Sequence, residues 1–244
     1  MHLKNARPVV LFRRVEGFRD GFSRVLLDPK ASAILVRVMK GNRTKARLLR
    51  IGLDQMSVFG LSGVTLGQLA EASGLSKSGL FAHFQSKEQL QIGLLDQFAE
   101  VMRQNVVEPA MRVAPGLPRL NALLDLWFGW PARAGLNGGC PLSAALFELD
   151  DLEGGVRDHV RELEARWRAL LGQLVSEAIS ERQLRADTDV EQFAWEVCGI
   201  YLGHHVASRF VRSRGADTRA RTALDALIRR HQAKRGGAAP KRRS

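Results

Sequence analysis

The chain of 244 residues carries 37 Lys and Arg against 25 Asp and Glu, 45% apolar residues and two cysteines, for a formal charge of +12. That length and apolar content can build one large or two small cores without help from disulfides or a structural metal, which excludes a disulfide-stapled scaffold. No apolar run approaches the ~20 residues of a membrane span, and two thiols in a chain of this size fit a reducing cytoplasm, the expected localisation.

The charge gathers at the two ends. Residues 1–43 hold ten Lys/Arg and three Asp/Glu, and residues 229–244 hold seven basic and no acidic residues, so each end is net +7 and the middle slightly negative. The total charge is therefore a property of two tails and by itself argues only weakly for nucleic acid. The apolar run Pro8–Phe12 is cut by Arg13 and Arg14, far short of a signal-peptide core. Residues 1–42 read as a basic extension, with 1–38 expected either as a basic arm or as an upstream reading artefact ahead of a start at Met39. Intact mass of the native protein separates those two.

From residue 44 to 232 apolar residues recur at spacings of three and four with no sustained alternation, which predicts an all-α fold. Ala46, Leu49, Leu53, Met56 and Phe59 share one face of a first helix that stops at Gly60. Thr65 opens the second, with Gln68 at capping-box spacing and Leu66, Leu69 and Ala70 inward. Gly74 takes the turn, and Ser76 caps a short third helix carrying Lys77, Ser78, Leu80, Phe81, His83 and Phe84. Ser86-Lys87-Glu88-Gln89 is a further box, starting a long helix with Leu90, Leu94, Leu95, Phe98, Val101 and Met102 inside.

Past Pro109 the predicted helices are larger and more aromatic. One covers 120–130 and ends at Pro131, and a glycine-rich loop occupies 135–141. A short helix is expected over 142–149 and a long amphipathic one over 156–179. The Thr188-Asp189-Val190-Glu191 cap starts a helix presenting Phe193, Val197, Ile200, Tyr201 and His204, and the last helix covers 218–231.

Two short helices joined through Gly74, the second opening on small and basic polar side chains, have the layout of a helix-turn-helix. In that geometry the first helix crosses the DNA backbone and the second lies in the major groove. Lys77 and Ser78 then reach base edges or phosphates, while Leu80 and Phe84 turn inward to hold the helix.

The run Val64-Thr65-Leu66-Gly67-Gln68-Leu69-Ala70-Glu71-Ala72-Ser73-Gly74-Leu75-Ser76-Lys77-Ser78-Gly79-Leu80-Phe81-Ala82-His83-Phe84-Gln85-Ser86-Lys87-Glu88-Gln89-Leu90 closely resembles the DNA-binding region of tetracycline-repressor-like (TetR family) transcriptional regulators. The capped helix, the Gly-Leu-Ser turn, the aromatic-Ala-His-Phe ending and the following Ser-Lys-Glu occur together at fixed spacing. The resemblance is strong over residues 44–90 and rests on architecture beyond them. It implies an N-terminal three-helix helix-turn-helix domain followed by a larger helical ligand-binding and dimerisation domain. It also implies a regulator, usually a repressor, that binds a palindromic operator in double-stranded DNA as a homodimer and is released by a small-molecule effector. The expected boundaries are 1–42 for the extension, 43–90 for the head, 91–232 for the effector-binding and dimerisation domain, and 233–244 for a basic tail.

By the resemblance, Thr44 and Thr65 match positions at helix starts that touch the DNA backbone, and His83 and Lys87 match further backbone contacts. Ser76, Lys77 and Ser78, with Gly79 beside them, match the groove-facing start of the recognition helix. Phe81 departs from the pattern: relatives commonly carry a tyrosine there whose hydroxyl meets a phosphate, so that contact is missing. Gly79 inside a helix costs about 1 kcal/mol against Ala.

Likeness to the family's inducer-binding domain makes Trp127, Phe128, Trp130 and Cys140 the expected effector-pocket residues, with plain core packing as the competing reading of an aromatic stripe. The stripes over 156–179 and 189–211, including Leu163, Trp167, Leu170, Leu174, Val197, Tyr201 and His204, are expected to form a four-helix interface between subunits. Cys198, Tyr201 and His205 fall near one face, which reads as core packing because too few soft ligands converge for a metal site; no metal or cofactor is expected. Cys140, in a Gly-Gly-Cys-Pro loop before a helix, reads as a quiet buried thiol, with a redox switch as the alternative.

Catalytic signatures are missing from the sequence: there is no P-loop, dinucleotide fingerprint, His-Glu-x-x-His or Gly-x-Ser-x-Gly, so an enzyme is not expected. The rival function is non-specific nucleic-acid binding through the basic tails. It predicts steep salt dependence, no sequence preference, and binding unchanged when Lys77 and Ser78 become Ala.

Overall fold

The computed structural model describes residues 29–233, with side chains from residue 41 onward. The expectations for residues 1–28 and for the tail 234–244 lie outside the described residues. The described chain is helical, and none of its helices is long and apolar enough to cross a membrane.

Two compact units divide between Ala46 and Arg47. Helix α1 (Pro29–Gly63) begins in the first and ends in the second. It starts well before residue 44, where the sequence reading placed it. Pro29 is tolerated in a first helical turn, and the eleven residues from Lys30 to Lys40 hold neither Gly nor Pro. Non-helical backbone at Gly60 (φ 75°, ψ 174°) breaks it where the sequence predicts a stop.

In the second unit, α2 (Leu66–Ser73), α3 (Lys77–Phe81) and α4 (Lys87–Met102) follow. Leu48, Leu53 and Met56 of α1, Leu69 of α2, Leu80 of α3 and Leu94 of α4 are buried in one core. Glycines let α1 and α4 close on each other. A Cβ at Gly52 would collide with Leu94, and one at Gly93 would press on Leu49 at 3.2 Å. α3 is shorter than predicted, ending at Phe81, so His83 and Phe84 stand in the turn after it.

α4 loosens into a π-helical turn (Arg103–Val107) and continues as α5 (Glu108–Met111). α6 (Leu117–Trp127) stops earlier than the sequence suggested. Phe128 is extended, Gly129 is left-handed, and Pro131 sits in the first turn of a new short helix, α7 (Trp130–Arg133), instead of ending the previous one. α8 (Pro141–Glu148), α9 (Gly155–Ser180), α10 (Val190–His205) and α11 (Ala216–His231) complete the described chain, with a second π-helical turn over Val206–Phe210. α10 packs between α9 and α11, and α6 packs on α9. Their apolar faces, including Leu124, Leu171, Leu174, Phe193, Val197 and Leu224, join the same core as α4.

Candidate functional site

The head is held by caps that the local sequence spells out. Thr65 Oγ1 accepts from the Gln68 backbone N–H at 3.2 Å and donates to Gln68 Oε1 at 2.8 Å, and Gln68 Oε1 accepts from the Thr65 N–H, closing the box. Gly74 takes φ 71°, the left-handed turn that an L side chain resists, and its N–H returns to the end of α2. Ser76 Oγ accepts from the Gly79 N–H at 3.1 Å and shares a hydrogen bond with Ser78 Oγ. A Cβ at Gly79 would meet Ser76 Oγ at 3.2 Å, so the glycine leaves room for the cap. Arg47 reaches across to donate to the Ser73 carbonyl at 2.9 Å, fixing the end of α2 against α1.

This packing turns the first residues of α3 outward. Thr65, Ser76, Lys77 and Ser78 are exposed, and Phe81 is 51% exposed. Gly79 and His83 are half-buried, and the Lys87 amine lies 3.5 Å from the Ser62 carbonyl at the surface. These eight residues therefore lie on one small stretch of capped turn and helix. Thr44 lies in the other unit, half-buried on α1. Two of the hydroxyls are committed to capping, which leaves Lys77 and Ser78 as the side chains of α3 best placed to meet a ligand rich in acceptors.

Downstream, a cavity of about 350 Å³ opens among α4, α6, α8, α9 and α10. Trp127 and Tyr201 stack in its wall with ring centroids 3.9 Å apart and planes 10° apart, and Trp167 leans on Trp127 at 4.7 Å. Cys140, Leu142, Ser143 and Leu146 supply the wall from the start of α8. Its charged members are largely paired: Arg168 with Glu164, and Arg103 with Glu100 and Glu108. The Trp127 and Cys140 expectations coincide with this wall.

Trp130 and Phe128 do not. Trp130 is completely buried behind the wall, edge-on to Phe98, and its indole N–H donates to the Tyr201 hydroxyl at 3.2 Å. Phe128 packs edge-on against Trp127 and Tyr201 and lines a separate hollow beside Asp125, Arg133 and Arg221. Burial holds the Tyr201 hydroxyl well above its usual range, and the neighbouring Cys140 sulfur adds to the shift. Burial also pushes the Cys198 thiol up to about 11, so it stays protonated and a poor nucleophile at neutral pH. No group of three or more His, Cys, Asp or Glu among the described residues is arranged to hold a metal ion.

The residues expected at a subunit interface take several places within the chain. Leu163, Leu174, Val197 and Tyr201 are buried inside the single chain, and Trp167 and Leu170 face the cavity. His204 is occupied with Asp217 at 2.6 Å. An amphipathic stripe shows that a face is covered but not by what, and here the chain covers it itself. The outward apolar side chains of this region are Trp195, 61% exposed, with Val206, Phe210 and Val211 beyond it. Sequence reasoning passed over Trp195 because it stands in the apolar run Phe193-Ala194-Trp195-Glu196-Val197-Cys198, where residue type does not separate an outward ring from the buried ones.

A loop that the sequence marked only by its glycines joins the two regions. The Asn137 backbone and side-chain N–H groups donate to the Asp54 carboxylate at 2.8 and 2.9 Å, Gly138 N–H to Ser57 Oγ, and Gly139 N–H to the Ser57 carbonyl. A Cβ at Gly138 would overlap that carbonyl. At the far end of α8, Glu148 accepts from the backbone N–H groups of Leu61 and Ser62 at 3.0 and 2.8 Å.

A capped helix-turn-helix with an outward basic start, carried on a helical domain with an apolar cavity, is the build of a helix-turn-helix transcriptional regulator. Comparison with known proteins agrees. The profile of bacterial regulatory proteins of the tetR family matches residues 48–92, and that of the tetracyclin repressor-like C-terminal domain matches residues 116–224. The HTH-type transcriptional regulator RutR of Escherichia coli K12 is 42% identical over 57 residues, 23% of this chain and 27% of RutR; the chain thus aligns with about a quarter of that relative's length. The nucleoid occlusion factor SlmA of Vibrio vulnificus is 28% identical over 177 residues, 71% of this chain and 86% of SlmA. A TetR transcriptional regulator from Chloroflexus aurantiacus superposes with a TM-score of 0.72 at 27% identity, covering 80% of this chain and 98% of that one. The chain belongs to the TetR family, whose members are DNA-binding transcriptional regulators and not enzymes.

Proposed function

We propose that this protein is a dimeric repressor that acts in the cytoplasm, reads a palindromic operator through Lys77 and Ser78 at the start of α3, and is released by a small molecule entering the cavity around Trp127 and Tyr201. The observation that carries the reading is the head itself: α3 is capped, braced from behind by Leu80 and Phe84, and presents its first turn to solvent. Thr65, Phe81, His83 and Lys87 flank it as backbone-contacting positions, and Thr44 is assigned the same role by family likeness alone. Residues 43–90 form the head in this reading and 91–232 the effector and dimer domain.

A single short helix offers few base contacts, so two heads at fixed spacing are needed for specificity. The exposed stripe Trp195, Gly199, Val206 and Phe210, at spacings of three to four residues or their multiples along α10 and the turn after it, supplies an apolar face for a second copy. Gly199 has nothing within 4 Å of where a Cβ would stand, leaving room for a close approach.

Coupling follows from the loop 137–140. It is hydrogen-bonded to α1 on one side and leads directly into the cavity wall at Cys140 on the other. An effector that favours one placement of that wall shifts the population of head placements, provided it binds the two states with different affinity.

Fluorescence anisotropy with duplex from upstream of the protein's own gene, beside a scrambled duplex at several salt concentrations, tests the reading. Discrimination between the duplexes is expected, and replacing both Lys77→Ala and Ser78→Ala should reduce it on the order of 100-fold while leaving the melting temperature unchanged. Discrimination that survives the double substitution would remove α3 as the reader, and equal, steeply salt-dependent binding to every duplex would favour the tail-driven rival.

A further inference from the structure

Within residues 64–90 the apolar side chains turn inward. Leu69, Leu80, Phe84 and Leu90 are buried, and Leu66 and Leu75 are half-buried against the same core. Phe81 breaks that pattern: its ring is 51% exposed and belongs to no core cluster. A single exposed apolar residue elsewhere on a surface calls for no explanation. On α3 its position supplies one.

Phe81 stands four residues after Lys77 and three after Ser78, the two spacings that make neighbours on one helical face. All three are exposed, whereas Leu80 is completely buried on the opposite side. The packing that aims Lys77 and Ser78 at a base edge therefore aims the Phe81 ring into the same groove. At a rise of about 1.5 Å per residue, Phe81 lies roughly 6 Å along the axis from Lys77, under two base-pair steps of about 3.4 Å.

A phenyl ring has no N–H or O–H to give a phosphate and adds nothing to the donor and acceptor pattern of a base edge. The apolar feature of the major groove is the C5-methyl of thymine. That methyl stands on the backbone side of its base, the side on which the flanking role given above puts Phe81. Contact between them takes both ring and methyl out of water.

We propose that Phe81 is a specificity-determining residue that reads thymine by packing its ring on the C5-methyl, at one thymine in each half-site of the operator. The proposal rests on α3 being the reader and adds an apolar readout to the polar one of Lys77 and Ser78.

Selection of bound duplexes from a random-sequence pool by the full-length protein supplies the probe. Each thymine of the recovered duplex is then replaced in turn by deoxyuridine, which lacks only the C5-methyl and keeps every hydrogen-bonding group, and affinity is read by fluorescence anisotropy. One thymine per half-site, within about three base pairs of the position whose preference is lost in Lys77→Ala, should lose about fourfold, the equivalent of one buried methyl at roughly 0.8 kcal/mol. Replacing the thymine of both half-sites should lose about fifteenfold if the two act independently. In Phe81→Ala the thymine-to-deoxyuridine ratio at these positions should fall to one, and Phe81→Leu, which restores an apolar side chain, should keep part of it. The ratio is internal to each protein, and the scan with the unmodified protein stands even if a variant fails to fold. A selected site with no thymine in that range, a scan in which no deoxyuridine there weakens binding, or a ratio unmoved by Phe81→Ala would each overturn the assignment. Failure of α3 as the reader looks different: a pool with no enriched sequence, or enrichment that survives Lys77→Ala with Ser78→Ala, removes the helix from recognition and this proposal with it.

Discussion

The head and the domain behind it use their polar groups in opposite ways. In the head the hydroxyls of Thr65 and Ser76 close bonds three residues away at the surface, and the side chains left over point into solvent. Around the cavity the polar atoms of Trp130 and Tyr201 are turned inward and satisfy one another across 71 residues of sequence. The difference teaches where mutations act: a change on the outer face of α3 alters recognition with little effect on folding, whereas a change in the aromatic wall alters stability and binding together.

The largest expected departure from that contrast is at Trp195, an outward apolar residue on the inward-turned domain. On the proposed dimeric reading, Trp195→Asp should convert dimer to monomer in light scattering and lower operator affinity on the order of 100-fold with an unchanged helical spectrum; a variant that remains dimeric would move the interface elsewhere. Next comes Tyr201→Phe, which leaves the ring stack with Trp127 but strands the buried Trp130 N–H. It should cost about 1–3 kcal/mol in urea unfolding. Thr65→Ala removes a cap at the surface and should cost about 1 kcal/mol, weakening DNA binding both through fraying of α2 and through loss of the backbone contact proposed for its hydroxyl.

The smallest effect is a pH dependence. Burial, followed by the charges of Arg209 and His204, holds the His205 pKa below its ordinary 6.5. The unfolded chain therefore takes up a proton at His205 before the folded one does, so stability from this residue is present above pH 6.5 and falls as the pH drops below it. His205→Gln should flatten that part of the stability profile between neutral and mildly acid pH in paired urea titrations. A profile identical to the parent's would remove His205 as its source.

Much of the head was legible because its signals are short-range. Thr65 with Gln68, Gly74 at the turn, and Ser76 with Gly79 are interactions within four residues, so residue type and spacing nearly determine them. At the next cap the pattern was only half right. Ser86 accepts from the Gln89 N–H, but the Gln89 side chain accepts from the Gln85 N–H instead of that of Ser86. Behind the head the helices and their inward faces were readable while their partners were not. Leu174 and Val197 look the same in sequence whether a second subunit or the same chain covers them. Asp54 with Asn137 and Glu148 with Leu61 are separated by 83 and 87 residues, and nothing local to either carboxylate announces the other.

The bond between Asp54 and Asn137 sets a length scale for signalling. From Asn137 to Cys140 at the cavity wall there are three peptide links, at most roughly 11 Å of chain, and the Gly138 backbone between them lies against the Ser57 carbonyl too closely for any side chain. On the proposed reading this is a linkage with almost no slack: a displacement of the wall reaches α1 before elasticity in the loop can absorb it. One inserted residue there would act as a clutch, leaving a cavity that still fills and a head that still reads, each without knowledge of the other.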